Sequence, residues 1–442
     1  MPRYRTAVET RYRDAVHAAA AFLAATVAGL ALMVPFDFRC IGDTGSLQTT
    51  LLIFNVPRAS AAGALVAVVT AVIVGMFGLR AAWATAFGSS LVVLIDHLVV
   101  HAPVGGSLAS ANFIDSIFAG ILLGAAGAAA LKRGETAAAG AKLTVPAIGY
   151  LLGGIASTLL GNVVENAVGQ SDSNSLLDRA FVDMPPVWLI AATTCAIAAS
   201  LLLSRKRAIA HHTTAVDLPF GPIFAAALLI TALAGTSEWL ARRAEGLGDV
   251  AIAVVVTVGA ALIAALLLPR RDGTLVLLMV ATAATATTIT ANPPPPWTLP
   301  LGLAAVAAGL YAGRRRPAPV HAGLAVSALA VYAVFTTAVA QHSSVIAILG
   351  GLALCAVSGY CFGSALPSIA AGTVLALAVQ FVPSALAALR DRRIGIPWNS
   401  ELWSCGADRP ATYVPGWTAV AIALGCVLGI LLLRRKRPVP GR

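Results

Sequence analysis

Residues 204–222 read SRKRAIAHHTTAVDLPFGP. The stretch is one of the few polar interruptions in a chain otherwise built of apolar blocks. Six such blocks precede it and eight follow. Arg205, Lys206 and Arg207 open it, and Pro219 and Pro222 close it. A basic cluster at the end of an apolar block marks the cytoplasmic side of a membrane helix. The stretch therefore reads as a cytoplasmic hinge between two halves of an all-α polytopic integral membrane protein.

Composition points the same way. Of the 442 residues, 58% are hydrophobic and 11% charged, with mean hydropathy +0.85. A soluble domain carries about 25% charged residues. A chain this poor in charge cannot cover its surface in water, so the lipid bilayer is its solvent and first partner. Lys and Arg outnumber Asp and Glu by 30 to 19. That excess does not indicate nucleic acid, because the cations sit at the ends of apolar blocks, where they orient membrane helices. The wealth of Ala, Val and Arg with little Lys suits a bacterial plasma membrane. The basic start MPRYRTAVETRYRD precedes an apolar run with no small-residue cleavage site after 33–36. That run reads as a retained first helix rather than a signal peptide.

A hydrocarbon core of ~30 Å needs ~20 apolar residues per helix. By that measure about fourteen segments cross: 16–36, 59–79, 82–101, 113–131, 143–164, 187–203, 220–240, 250–268, 274–290, 299–312, 322–340, 345–363, 367–386 and 417–433. The tenth is short and the ninth is rich in Thr and Ala, so the expectation is twelve to fourteen spans. With both termini cytoplasmic, 21 of the 30 Lys and Arg fall at inner ends, as the positive-inside rule requires. Arg242 and Arg243 stand against it at an outer end, close to Glu238, Glu245 and Asp249. The expected domains are a six-helix bundle over 1–204, a linker over 205–219, a second six-helix bundle over 220–364, and two additional helices over 365–442 with an outer loop at 387–415.

Cys40 and Cys405 fall in the first and last outer loops, where an oxidising exterior would let them join. Cys195, Cys355, Cys361 and Cys426 lie in apolar blocks and read as small core residues.

Ionisable groups at membrane depth are costly and tend to mark function. Asp96 and His97 sit in LVVLIDHLVVH, four residues before His101. On a helix His97 and His101 share a face, and with Asp96 they could relay protons, since imidazole titrates near neutrality. One acid and two His make an incomplete metal set, so the sequence assigns no metal. Asp115, Glu165 and Glu238 also stand at outer ends of segments and could converge with this group on an outward cavity. Gln380, deep in the thirteenth segment, is placed to bond another helix. No Walker loop, zinc-protease motif or nucleophile elbow appears. The sequence implies no cofactor and no catalytic residue.

Short basic turns recur along the chain: GLRAAW at 78–83, LKRG at 131–134, PRRDG at 269–273 and AGRRRP at 312–317. With the central basic linker, this layout resembles the major facilitator superfamily, which has two six-helix bundles and basic turns after its second and eighth helices. The turn of that family carries Asp-Arg between two glycines, whereas GLRAAW lacks the acid. The resemblance implies a substrate site between the halves near the midplane. It also implies secondary transport, in proton-coupled form, of a small molecule or a lipid-linked envelope precursor. Three other readings stay open. One is a polyprenyl-sugar-dependent envelope glycosyltransferase, with Asp37 or Asp43 as the acid of its first outer loop. Another is a flippase for a lipid-linked precursor. The last is a structural subunit of an envelope complex.

Overall fold

The computed structural model describes residues 2–33, 47–100, 108–131, 143–168, 184–204, 220–243, 246–269, 271–290, 294–340, 343–366, 368–384, 386, 389 and 413–437. In these apolar blocks water cannot satisfy the backbone, so each block bonds within itself as a helix. Fourteen α-helices result among the described residues. They are α1 (Pro2–Leu32), α2 (Leu47–Phe77), α3 (Leu79–Val100), α4 (Leu108–Ala130), α5 (Val145–Val168), α6 (Val187–Ser204) and α7 (Phe220–Arg243). Then come α8 (Leu247–Leu267), α9 (Gly273–Ile289), α10 (Leu299–Arg315), α11 (Pro319–Ala340), α12 (Ser344–Ser364), α13 (Ala370–Ala378) and α14 (Val414–Lys436). No strand occurs among the described residues. Among the described residues, ten helices are long and apolar enough to cross a bilayer. Large apolar side chains face outward: Val255 is 71% exposed, Phe335 69% and Leu428 61%. In water such a surface would aggregate; in lipid it is the solvated face. The chain is a multi-pass membrane protein.

Each expected segment contains a helix, with three differences in extent, the first being that α1 starts at Pro2 instead of residue 16. The second helix starts at Leu47 instead of residue 59 and carries Pro57 inside it. The thirteenth is not one helix over 367–386. It runs as α-helix from Ala370 to Ala378, tightens to a 3-10 turn over Val379–Phe381, and is extended at Val382. Val382 precedes Pro383, whose ring disfavours the helical conformation of the residue before it.

The helices pack in a repeated pattern. In the first part α1 lies on α5, α2 on α4, and α3 on α6. In the last part α9 lies on α13, α10 on α12, and α11 on α14. The same partners return eight helices later. Further pairs obey the same offset: α1 with α6 and α9 with α14, α3 with α4 and α11 with α12. Helices α7 and α8 pack on each other, α7 also on α2, and α8 also on α9 and α14. This pairing does not follow the expected division into a 220–364 bundle and two trailing helices. Basic turns recur at every second helix end in any chain that obeys the charge rule, so they do not fix the phase of a repeat.

Equivalent pairs are also built alike. A Cβ on Gly120 of α4 would overlap the Gly63 carbonyl of α2, and one on Gly124 would overlap the carbonyl of Ala67. At the α10–α12 crossing, a Cβ on Gly309 would overlap the Ala356 carbonyl, and one on Gly363 the Leu310 carbonyl. Backbones that approach this closely replace, in lipid, the hydrophobic drive that packs helices in water.

The end of the bundle assigned to the cytoplasm is tied by polar contacts. A single residue, Gly78 with φ 96°, separates α2 from α3, a conformation that costs glycine little. Asp272, buried in the α8–α9 turn, accepts hydrogen bonds from the amides of Ser368 and Ile369 and from the Ser368 hydroxyl. Arg437, just past α14, donates to the carbonyls of Leu266 and Leu268 at the end of α8, at 2.8 and 2.6 Å.

Candidate functional site

Two places combine unusual geometry with polar chemistry. The first is the seam where the early helices meet the late ones. Its centre is α13, whose residues 371–379 are all buried. Two early helices present glycines to it. A Cβ on Gly127 of α4 would meet Val374 at 2.5 Å and one on Gly154 of α5 would meet Leu377 at 2.9 Å, while one on Gly29 of α1 would overlap Ser157 of α5 and meet Phe381 of the following 3-10 turn at 3.0 Å. The late part of the chain thus wedges a short, interrupted helix into notches cut in the early part. Gln380, on the 3-10 turn, donates from Nε2 to the Met279 carbonyl of α9 at 2.7 Å. Thr287 of α9 meets the Ser384 hydroxyl at 3.0 Å. Neither α9 nor α13 carries a charged residue. Beside this seam, α5, α9, α10 and α12 enclose a small apolar cavity lined by Leu159, Ile289, Thr298, Gly302, Gly351 and Cys355. Its volume of about 20 Å³ holds a water and little more.

The second place is an acid–imidazole cluster between α3 and α4, near the end assigned to the outside. His97 is 1% exposed and lies over α4, with Nδ1 3.5 Å from Asp115 Oδ2. The same Nδ1 is 3.0 Å from the Val93 carbonyl. A carbonyl only accepts, so Nδ1 is the donor in this contact. Asp96 completes the group: one ligand atom from each of Asp96, His97 and Asp115 lies within 4.8 Å of the other two. Asp96 and Asp115 are partly exposed, whereas His97 is buried. The only Lys or Arg on α3 or α4 is Arg80, about 24 Å along the helix from Asp96 at 1.5 Å per residue.

The corresponding place in the late helices is neutral. Between α11 and α12, the counterparts of α3 and α4, the Tyr332 hydroxyl donates to the Ile346 carbonyl at 3.1 Å. The fold therefore packs this junction without charge where it needs only packing. That asymmetry singles out the Asp96–His97–Asp115 group.

The remaining candidates separate. Glu238, at the end of α7, does not join the cluster as a ligand; it pairs with Arg58 of α2. Glu165 lies on α5 with its side chain outside the described residues, as do His101, Cys40, Cys405, Asp37 and Asp43. Cys355, Cys361 and Cys426 are buried as expected, but Cys195 is exposed on the lipid face. Sequence reasoning passed over one contact entirely. Trp83, fully buried just inside the GLRAAW turn, stacks on His17 of α1 with ring centres 5.5 Å apart and planes 12° off parallel. A tryptophan beside a basic turn reads as an interfacial anchor, and nothing in the sequence placed it opposite α1.

No protein-family description matches the sequence, and no curated protein matches it. Among solved structures, the chain is similar to the xylose transporter XylE from E. coli in a partially occluded inward-open conformation, with TM-score 0.47 and 13% identity. That likeness covers 97% of this chain and 99% of the other. It is also similar to an auto-inhibited POT family peptide transporter, with TM-score 0.44 and 13% identity over 98% of each chain.

Proposed function

We propose that this chain is a secondary transporter of a small molecule or an envelope precursor in a bacterial plasma membrane. Its moving parts are two six-helix bundles, α1–α6 and α9–α14, with α7–α8 as a hairpin between them. One observation carries the reading: the same helix pairing occurs twice, and the two sets meet at the interrupted helix α13. Repeats that meet at a broken helix are the architecture of alternating access, in which one bundle rocks against the other around a site at the seam. The seam chemistry, glycine notches, neutral hydroxyls and one amide, suits an uncharged or weakly polar cargo. The outer acid–imidazole cluster would draw in a coupling cation, and a proton gradient is the driving force to try first.

The test uses proteoliposomes loaded with a panel of sugars, short peptides and lipid-linked precursors, with an imposed pH gradient or membrane potential. A disulfide between Gly127→Cys and Val374→Cys would hold α13 in its notch. Flux of the accepted solute should stop on oxidation and return on reduction. Flux that continues with the disulfide formed would exclude rocking about α13.

A further inference from the structure

We propose that Asp96, His97 and Asp115 bind a divalent transition-metal ion of the zinc or manganese class at the outer end of α3 and α4. The inference rests on reading this cluster as the cation site of the proposed transporter, and names an ion for it. The sequence assigned no metal because it offered one acid and two His from a single helix. The fold supplies what was missing, a second carboxylate from α4, and brings it within ligand distance.

Three features match a metal site. The donor set of one imidazole and two carboxylates suits zinc or manganese, whereas magnesium and calcium prefer all-oxygen shells. The Nδ1 proton of His97 is held by the Val93 carbonyl. That contact fixes the ring, as the imidazoles of metal sites are usually fixed. Finally, Asp115 Oδ1 is buried and has no hydrogen-bond partner, and a bare carboxylate oxygen in a low-dielectric setting is costly unless a cation meets it. Three protein ligands leave a position open for water or solute. The partly exposed carboxylates give the ion a way in from outside.

The experiment uses the full chain in detergent, without a polyhistidine tag and with its thiols alkylated. Zinc is measured by elemental analysis after dialysis and by titration against a fluorescent chelator. The expected result is one zinc per chain, with affinity reduced at least tenfold in His97→Ala and Asp115→Asn. Asp96→Asn is the milder variant if either of these fails to fold, as judged by gel filtration and melting. Manganese supplies a second readout, since its electron spin resonance signal broadens on binding to the parent and stays sharp with the variants. A parent that binds no metal, or variants that bind it as tightly as the parent, would overturn the site. The two readings fail separately. Cation-driven flux without metal binding removes the metal alone, and metal binding in a chain that moves no solute removes the transporter and leaves the metal.

Discussion

The Asp272 carboxylate caps a helix that begins 98 residues later in the chain, accepting the Ser368 hydroxyl at 2.6 Å and the Ser368 amide at 2.9 Å. It sits at the start of α9 and holds the N-terminal end of α13, the helix wedged into the seam. A carboxylate there satisfies amides that the helix cannot and meets the positive end of its dipole.

Asp272→Ala should therefore destabilise the protein by about 1–3 kcal/mol, the cost of leaving buried donors without an acceptor. Asp272→Asn keeps one oxygen and should cost about 1 kcal/mol, near the value of a helix cap. Thermal unfolding in detergent checks the order. Equal melting temperatures for the parent and the Ala variant would mean that the cap does not hold α13.

The glycine crossings predict a sharper contrast. Gly120→Ala and Gly309→Ala each place a methyl group into a facing carbonyl. Overpacking of this kind costs about 1–3 kcal/mol, and rigid backbone on the other side leaves little room to relax. Gly259 of α8 has open space where a Cβ would go. Gly259→Ala should be neutral or stabilising by up to ~1 kcal/mol through helix propensity. If all three variants melted alike, close backbone approach would not be what holds these pairs.

These glycines show how much of the fold was legible. The helices themselves were plain, because a 20-residue apolar block has one stable form in lipid. Their grouping was not. Gly120 and Gly309 look like any membrane glycine until their partners across the crossing are known, and the basic turns that suggested two halves repeat at a period of two helices. The site was half legible. Asp96 and His97 stood out as charge in an apolar run, but the alignment with Asp115 depends on the packing of α3 on α4. Gln380 was placed correctly as a bond to another helix, whereas the break beside it could be read only from Pro383, and its consequence only from the buried α13.

The Arg58–Glu238 pair joins α2 to the α7–α8 hairpin. Its side chains are 53% and 37% exposed, so water or headgroups screen it, and such pairs contribute at most about 1 kcal/mol. Arg58→Ala and Glu238→Ala should each lower stability slightly, with a coupling energy below ~1 kcal/mol in a double-mutant cycle. The exchange Arg58→Glu with Glu238→Arg should restore the parent's melting temperature. Coupling of several kcal/mol would show that the hairpin is held to α2 chiefly by charge, not by its apolar face.

The phase of the repeat can be decided by dividing the chain. If α9–α14 is the second bundle, a polypeptide of residues 1–204 and another of residues 269–442 each keep all of their internal pairings. The second also keeps Asp272 with Ser368, although Arg437 loses the carbonyls of Leu266 and Leu268. Co-expressed in one membrane, the two should co-purify, because α13 remains available to fill the notches at Gly127 and Gly154. The melting temperature should fall, since α8 no longer covers α9 and α14. Residues 1–204 with residues 220–364 make the opposite division. That pair lacks α13 and α14, leaves α9 and α11 without their main partners, and should not associate. Co-purification of the second pair and failure of the first would place the bundle boundary at residue 220 and break the eight-helix offset.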